Sequence, residues 1–175
     1  PTMINMAVNH PDVGNYDLSS IRHVLFGASP MPEAVLKTAL QVIPNAQFHH
    51  VYGQTEAGPV LTALPPNRMV EEGPLAGKIK SAGVAIPGVE IKIVDEDDNE
   101  VPPGTVGEIC GQGENVMLGY WNLPELTAET LRNGWLHTGD GGRMDEDGFV
   151  YVVDRVKDMI ISGGENVYSA EVENA

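Results

Sequence analysis

The chain has 175 residues, with 25 Asp and Glu against 10 Lys and Arg and a formal net charge of −15. That length suits one large domain or pieces of two and is enough to bury a core, and 42% hydrophobic residues set it apart from charge-dominated disordered chains. The acidic balance argues against a nucleic-acid or anionic-membrane surface, because both need clustered Lys and Arg to meet phosphates. Cys110 is the single cysteine, so no internal disulfide can form and a reducing compartment, the cytoplasm, is expected. No run of about 18 apolar residues is present for a transmembrane segment. The opening PTMINMAVNH is not a basic then apolar leader, so the chain reads as beginning within a fold.

Residues 16 to 47 read as alternating α/β structure. A short apolar strand is predicted around Val24 to Phe26, followed by a helix in MPEAVLKTALQVI. Ala34, Leu36, Leu40 and Ile43 stand near a 3.6-residue period, Pro32 marks the start and Pro44 the end. A second strand is predicted over Gln47 to Val51, with the loop YGQTEAGPV directly after it. In parallel α/β sheets, ligands collect at that C-terminal end.

From about Leu75 the pattern changes to short strands and frequent turns: GVEIKIVD, TVGEICGQG and FVYVVD, separated by the acidic stretches Asp95 to Glu100 and Asp145 to Asp147. Asp95, Asp97 and Asn99 fit the start of a calcium loop, but Glu100 stands at its glycine position and Val106 at its final glutamate. Solvated hairpin turns are expected instead. A boundary is expected near Asp154 to Lys157, and SAEVENA reads as a helix start with Ser169 as its N-cap. The expected division is thus 1–74, the end of an α/β subdomain; 75–154, a β-rich subdomain; and 155–175, the beginning of a further small domain. Among nucleotide signatures, GPLAGKIK from Gly73 has P-loop-like glycines one residue too close and Ile79 where Ser or Thr must stand. GQGENVMLG lacks the third glycine of the dinucleotide fingerprint.

Three further segments carry more. They are Tyr52-Gly53-Gln54-Thr55-Glu56, Gly134-Trp135-Leu136-His137-Thr138-Gly139-Asp140, and Asp154-Arg155-Val156-Lys157-Asp158 leading into Ile161-Ser162-Gly163-Gly164-Glu165-Asn166. In this order, and joined by Gly107-Glu108-Ile109 and Gly119-Tyr120-Trp121, they resemble the adenylate-forming superfamily of acyl-CoA synthetases, luciferase and peptide-synthetase adenylation domains. The resemblance covers essentially the whole chain. KDMIISGGENVYSAEVE is more similar to fatty-acyl or aryl CoA ligases than to peptide-synthetase domains. The resemblance implies an α/β nucleotide-binding subdomain followed by a distorted antiparallel β-barrel-like subdomain and a small C-terminal α+β domain. It also implies ATP, Mg²⁺ and CoA as cofactor and co-substrates, with a small carboxylic acid as the second substrate.

Such an enzyme brings a carboxylate to the α-phosphorus of ATP, and these two anions repel, so a cation and hydrogen-bond donors are needed where charge gathers. By resemblance Thr55 meets an α-phosphate oxygen and Glu56 is the Mg²⁺ ligand, as a hydroxyl and a hard carboxylate oxygen allow. Tyr52 lines the adenine pocket, or is simply a core aromatic; Gly53 and Gln54 follow it on the nucleotide side. Gly27, Ala28 and Ser29 match a segment lying against adenine and the acyl group, and the variable stretch Val60 to Ala63 is expected to help line the acid pocket. His50 stands close enough to Tyr52 in sequence to suggest an adenine-edge contact. Asp140 matches a ribose ligand and Arg155 a second group on the ribose side. Lys157 matches the hinge of the small domain. Gly163 and Gly164 would admit a pantetheine arm, or form a plain hairpin turn. His49, His50 and His137 show no metal spacing, and Cys110 reads as a small core residue.

The resemblance also implies an upstream Pro-Lys phosphate loop and a late catalytic lysine. The lysines here are Lys37, Lys78, Lys80, Lys92 and Lys157, none of them after residue 157. The expectation is a piece of an ATP-dependent acid:CoA ligase with little activity alone, whose flanking parts lie elsewhere in its polypeptide. Transfer to a carrier-protein phosphopantetheine and a non-catalytic nucleotide-binding module are the other two readings.

Overall fold

A computed structural model describes residues 1–28, 31–66, 69, 77–155, 160–162 and 165–167, the last two stretches as backbone only. Lys157, Gly163, Gly164, Ser29 and the SAEVENA segment lie outside the described residues.

Strand β1 (His23–Phe26) runs parallel to β2 (Gln47–Tyr52), with His23 opposite Gln47 and Phe26 opposite His50. Helix α2 (Glu33–Val42) connects them, as the periodicity requires. Leu36 and Ala39 face inward, and Glu33 in the first turn pairs with Lys37 one turn later at 3.0 Å. The chain cannot continue the helix through Pro44, so it turns back into β2. Strand β3 (Thr62–Leu64) and the two-residue β4 (Val84–Ala85) complete this sheet in antiparallel sense. Its core holds Phe26, Leu36, Ala39, Ile43, Phe48 and Leu64, with Val8 from a short helix α1 (Thr2–Val8) laid over it. Burying side chains of this size contributes about 1.5–3 kcal/mol each relative to exposure.

A second, antiparallel sheet follows: β5 (Val89–Val94), β6 (Gly107–Gly113), β7 (Leu131–Arg132), β8 (Trp135–Met144) and β9 (Val150–Arg155). The ten-residue β8 organises it, pairing with β6 along one side and with β7 and then β9 along the other. Helix α3 (Pro124–Thr130), with proline in its first turn, lies between β6 and β7. The predicted acidic turns close upon themselves. Asp95 Oδ1 accepts from the N–H groups of Asp97 (3.0 Å) and Asn99 (2.9 Å), and Asp145 Oδ1 from those of Asp147 (3.1 Å) and Phe149 (2.9 Å). Strand β10 (Ile160–Ser162) pairs antiparallel with β11 (Glu165–Val167).

The two sheets are stitched together. Gly83 bridges Val150, whose N–H bonds to Gly83 O at 2.8 Å and whose carbonyl accepts from Ala82 N–H at 2.7 Å. Gly83 adopts φ of +89°, and a Cβ there would run into the backbone of Ala63, so only glycine allows this crossing. The result is an α/β mix in which an antiparallel half-barrel packs beside a mixed sheet with one parallel pair, as the resemblance implies.

Candidate functional site

The loop after β2 is a tight 3-10 turn, Thr55–Ala57, with Gln54 in extended conformation before it and Gly58 in the left-handed region after it. Ala57 is fully buried against Leu61, Val89 and Leu136, which pins the turn while leaving Thr55 exposed. A Cβ on Gly53 would collide with the Pro59–Leu61 backbone, 2.8 Å from Leu61 N. The loop's own packing therefore requires that glycine. At the end of β1, a Cβ on Gly27 would meet the Val51 carbonyl, so this glycine lets two strands approach. Ala28 follows with φ of +66°.

Residues 115–120 form the other wall of the turn. Asn115 Nδ2 donates to the carbonyls of Ala57 (2.6 Å) and Val60 (2.9 Å), Met117 N–H to Glu56 O (2.8 Å), and the Tyr120 hydroxyl to Glu56 Oε1 (2.6 Å). The carboxylate raises the Tyr120 hydroxyl above the ordinary tyrosine range, because ionisation there would forfeit the hydrogen bond and place two negative charges together. Sequence reasoning noticed Gly119-Tyr120-Trp121 but not that Tyr120 orients Glu56, and it missed Asn115 altogether. No local signal in GENVMLGY marked them, because the contacts span 55 to 64 positions.

Tyr52, at the last position of β2, donates its hydroxyl to Asp140 Oδ2 at 2.8 Å. This bond joins two predicted segments that lie 88 positions apart. Asp140 is only 18% exposed at its side chain, and Arg155 Nε lies 3.8 Å from its other oxygen. Burial pushes the Asp140 carboxyl above its usual range, while the Tyr52 hydroxyl and the Arg155 charge pull it the other way. Burial first, and then the Asp140 charge, drives Tyr52 far above the ordinary tyrosine value.

His50 stacks on Phe26, centroids 4.9 Å apart, and its Nδ1 stands 3.0 Å from Ser81 O. A carbonyl only accepts, so Nδ1 carries the hydrogen and Nε2 is left as an acceptor. Desolvation lowers its pKa, which keeps it neutral. Leu61 and Thr62, expected among the variable acid-pocket positions, are fully buried. Thr62 Oγ1 donates to Ala82 O at 2.7 Å, so these two residues serve the core and only Val60 and Ala63 of that stretch remain partly open. Cavities of about 350 Å³ beside Val13 and Pro44 and about 490 Å³ beside Gly88 and Gly134 are lined by none of the predicted site residues. Among the described residues no helix is long and apolar enough to cross a membrane.

Residues 1–121, which include YGQTE, match the family of AMP-binding enzymes. The chain belongs to the AMP-binding enzyme family. It is 45% identical over 174 residues to the fatty acid–[acyl-carrier-protein] ligase ScoC of Streptomyces coeruleorubidus, covering 99% of this chain and 33% of that protein. It is also 45% identical to a feruloyl-CoA synthase of an Amycolatopsis species, covering 99% of this chain and 34% of the relative. The O-succinylbenzoate CoA synthetase of Bacillus subtilis, solved with ATP and magnesium, superposes with a TM-score of 0.84 at 37% identity, over 99% of this chain and 34% of that one. The chain thus spans about a third of the length of the relatives it matches.

Proposed function

We propose that this chain is the nucleotide-binding centre of an ATP-dependent acid–thiol ligase, which activates a carboxylic acid as its acyl-AMP and passes the acyl group to CoA. The observation that carries the reading is the Tyr52–Asp140 hydrogen bond. It holds an aromatic face and a carboxylate together at the C-terminal end of β2, where a parallel sheet presents ligands. Asp140 accepts the ribose hydroxyls through its two oxygens, with Arg155 beside it, and Tyr52 offers its ring to adenine. His50 Nε2, an acceptor in the tautomer that Ser81 imposes, suits the adenine amino group. Gly27, Ala28, Gly53 and Gln54 form the floor, and Thr55, exposed at the head of its turn, donates to an α-phosphate oxygen.

Glu56 fits a magnesium ion in its chemistry, being a partly exposed carboxylate oriented by Tyr120. The ion, when bound, supplies positive charge against the triphosphate. In the first half of the reaction the acid's carboxylate oxygen attacks the α-phosphorus and pyrophosphate leaves. In the second the CoA thiolate attacks the acyl carbonyl and AMP leaves with the bonding electrons. The same proposal places subdomain boundaries near residues 74 and 154, Lys157 at a hinge, Ser29 near the acyl group, Gly163 and Gly164 along the pantetheine path, and the protein in the cytoplasm. It assigns the pyrophosphate loop and the late lysine to parts of a longer polypeptide.

Identity to an acyl-carrier-protein ligase favours one second reading, in which the acceptor thiol is a carrier-bound phosphopantetheine. The test is AMP binding to the 175-residue chain by calorimetry, together with acyl-CoA and acyl-carrier formation by the chain and by its full reading frame, using fatty and aromatic acids. Binding that is weakened by Asp140→Asn and turnover confined to the longer protein are expected. Robust turnover by the 175 residues alone would sink the division of labour, and unaltered binding by Asp140→Asn would sink the site.

A further inference from the structure

Asp140 pairs with Arg155 of β9 on one side, but on its β6 side it does not lie in a regular ladder. Between the pairs Glu108–Gly141 and Cys110–His137, Ile109 alone on β6 stands opposite Thr138, Gly139 and Asp140 on β8, and Gly139 takes φ of +72°. Such a bulge throws its extra residues out of the sheet and leaves their N–H groups without ladder partners. Here side chains replace those partners. Glu108 Oε1 accepts from Gly139 N–H at 2.9 Å, Thr138 Oγ1 accepts from Asp140 N–H at 3.1 Å, and the Thr138 hydroxyl donates to Ile109 O at 2.7 Å.

The other oxygen of Glu108 is held as well. Oε2 lies 2.8 Å from His137 Nδ1 and 3.7 Å from the Arg132 guanidinium, which is anchored at 2.9 Å to Asp98 Oδ1. Ligand-type atoms of Glu108, Cys110 and His137 approach within 4.8 Å of one another, a grouping that spacing along the chain did not reveal. It does not make a metal centre, because Arg132 NH2 stands 2.8 Å from His137 Nδ1 and supplies the positive charge that an ion would bring. Burial also pushes the Cys110 thiol up to about 12, so by itself it stays protonated. The cluster is a clamp on one carboxylate, and Arg132 and His137 explain why that carboxylate is tolerated near Asp140.

We infer that Glu108 is a positioning residue for Asp140: by holding the Gly139 N–H it keeps the Thr138–Asp140 bulge in the shape that presents the Asp140 carboxylate to Tyr52 and to a nucleotide's ribose. The ribose part rests on the function proposed above; the placement of Asp140 against Tyr52 does not.

A double-mutant cycle separates the two. In the unaltered chain, Tyr52→Phe should lower the folding equilibrium constant at least about tenfold at neutral pH, as loss of a hydrogen bond to a charged group does. In the Glu108→Ala background that effect should shrink below about threefold. In Glu108→Gln, which keeps a carbonyl acceptor for Gly139 but no charge, it should stay undiminished. Should Glu108→Ala not fold, Glu108→Met fills the volume without an acceptor and should behave as predicted for Ala. An undiminished Tyr52→Phe effect without the Glu108 acceptor, or no effect in the unaltered chain, overturns the inference. Calorimetry with AMP and 2′,3′-dideoxy-AMP then addresses the ribose: Glu108→Ala should abolish the preference for AMP and leave dideoxy-AMP binding unchanged. If the unaltered chain shows no preference while the Tyr52 coupling still depends on Glu108, the ribose role of Asp140 fails and its positioning by Glu108 stands.

Discussion

Tyr52→Phe removes one oxygen and nothing else, and its cost should depend on pH in a defined direction. Asp140 is partly buried, and the desolvation places its folded pKa above the unfolded value. A carboxyl raised in this way stabilises the fold below its unfolded pKa, near 3.9, and that contribution disappears as pH rises through the folded value. The Tyr52 hydroxyl opposes the rise by donating at 2.8 Å to the ionised form, so deleting it extends the window upward. At neutral pH the variant loses a hydrogen bond to a charge, about 1.5–3 kcal/mol; with Asp140 protonated it loses a neutral one, about 0.5–1.5 kcal/mol. For a chain of this length each kcal/mol moves Tm by about 2–4 °C. Urea unfolding followed by tryptophan fluorescence, at neutral pH and again below the aspartate range, measures both. Equal losses at the two pH values, or no loss at neutral pH, would refute the coupling of Tyr52 to an ionised Asp140.

Glu56→Gln replaces the carboxylate whose hydrogen bond, and then whose charge, raises Tyr120, so the Tyr120 hydroxyl should titrate closer to the ordinary value of about 10 in an ultraviolet pH titration, and Mg²⁺ should no longer strengthen ATP binding; an unmoved tyrosine would dissolve the pair. Leu61→Ala should cost about 2–5 kcal/mol in urea unfolding, since Leu61 is fully buried and fills the space above Gly111, and a loss under 1 kcal/mol on that scale would contradict its place in the core. Gly83→Ala should destabilise by more than about 2 kcal/mol, combining a left-handed backbone with a backbone collision, whereas Gly139→Ala, with nothing within 4 Å of the new Cβ, should cost only about 1–2 kcal/mol. Thermal unfolding ranks the two, and the reverse order would falsify the account of the sheet crossing.

Local signals in the sequence determined a good deal. The apolar period from Ala34 to Ile43, closed by Pro44, defines α2, and the predicted strands at Val24 to Phe26 and Gln47 to Val51 coincide with β1 and β2 within a residue. The Asp-rich turns and the buried Cys110 also follow from the residues themselves, because a turn and a core position depend on neighbours a few positions away. The segments YGQTE and GWLHTGD carry the resemblance to the family in their residues alone. Helices α1 and α3 escaped prediction: each has seven residues, too short for a periodic stripe to stand out.

Only the tertiary structure decided what each site residue touches. Tyr52 reads as a ligand surface, with a core ring as the alternative, until Asp140 is seen to accept its hydroxyl, and Glu56 has no visible partner until Tyr120 reaches it. Leu61 and Thr62 pass for variable loop positions until β3 and the second sheet close over them. Gly53 and Gly27 suggest room for a ligand, yet the space beside each is taken by the chain's own backbone. The physical reason is common to all of these: hydrogen bonds and packing contacts act over about 3 to 4 Å, but the partners lie tens of positions apart on strands whose register is set only when the sheets form.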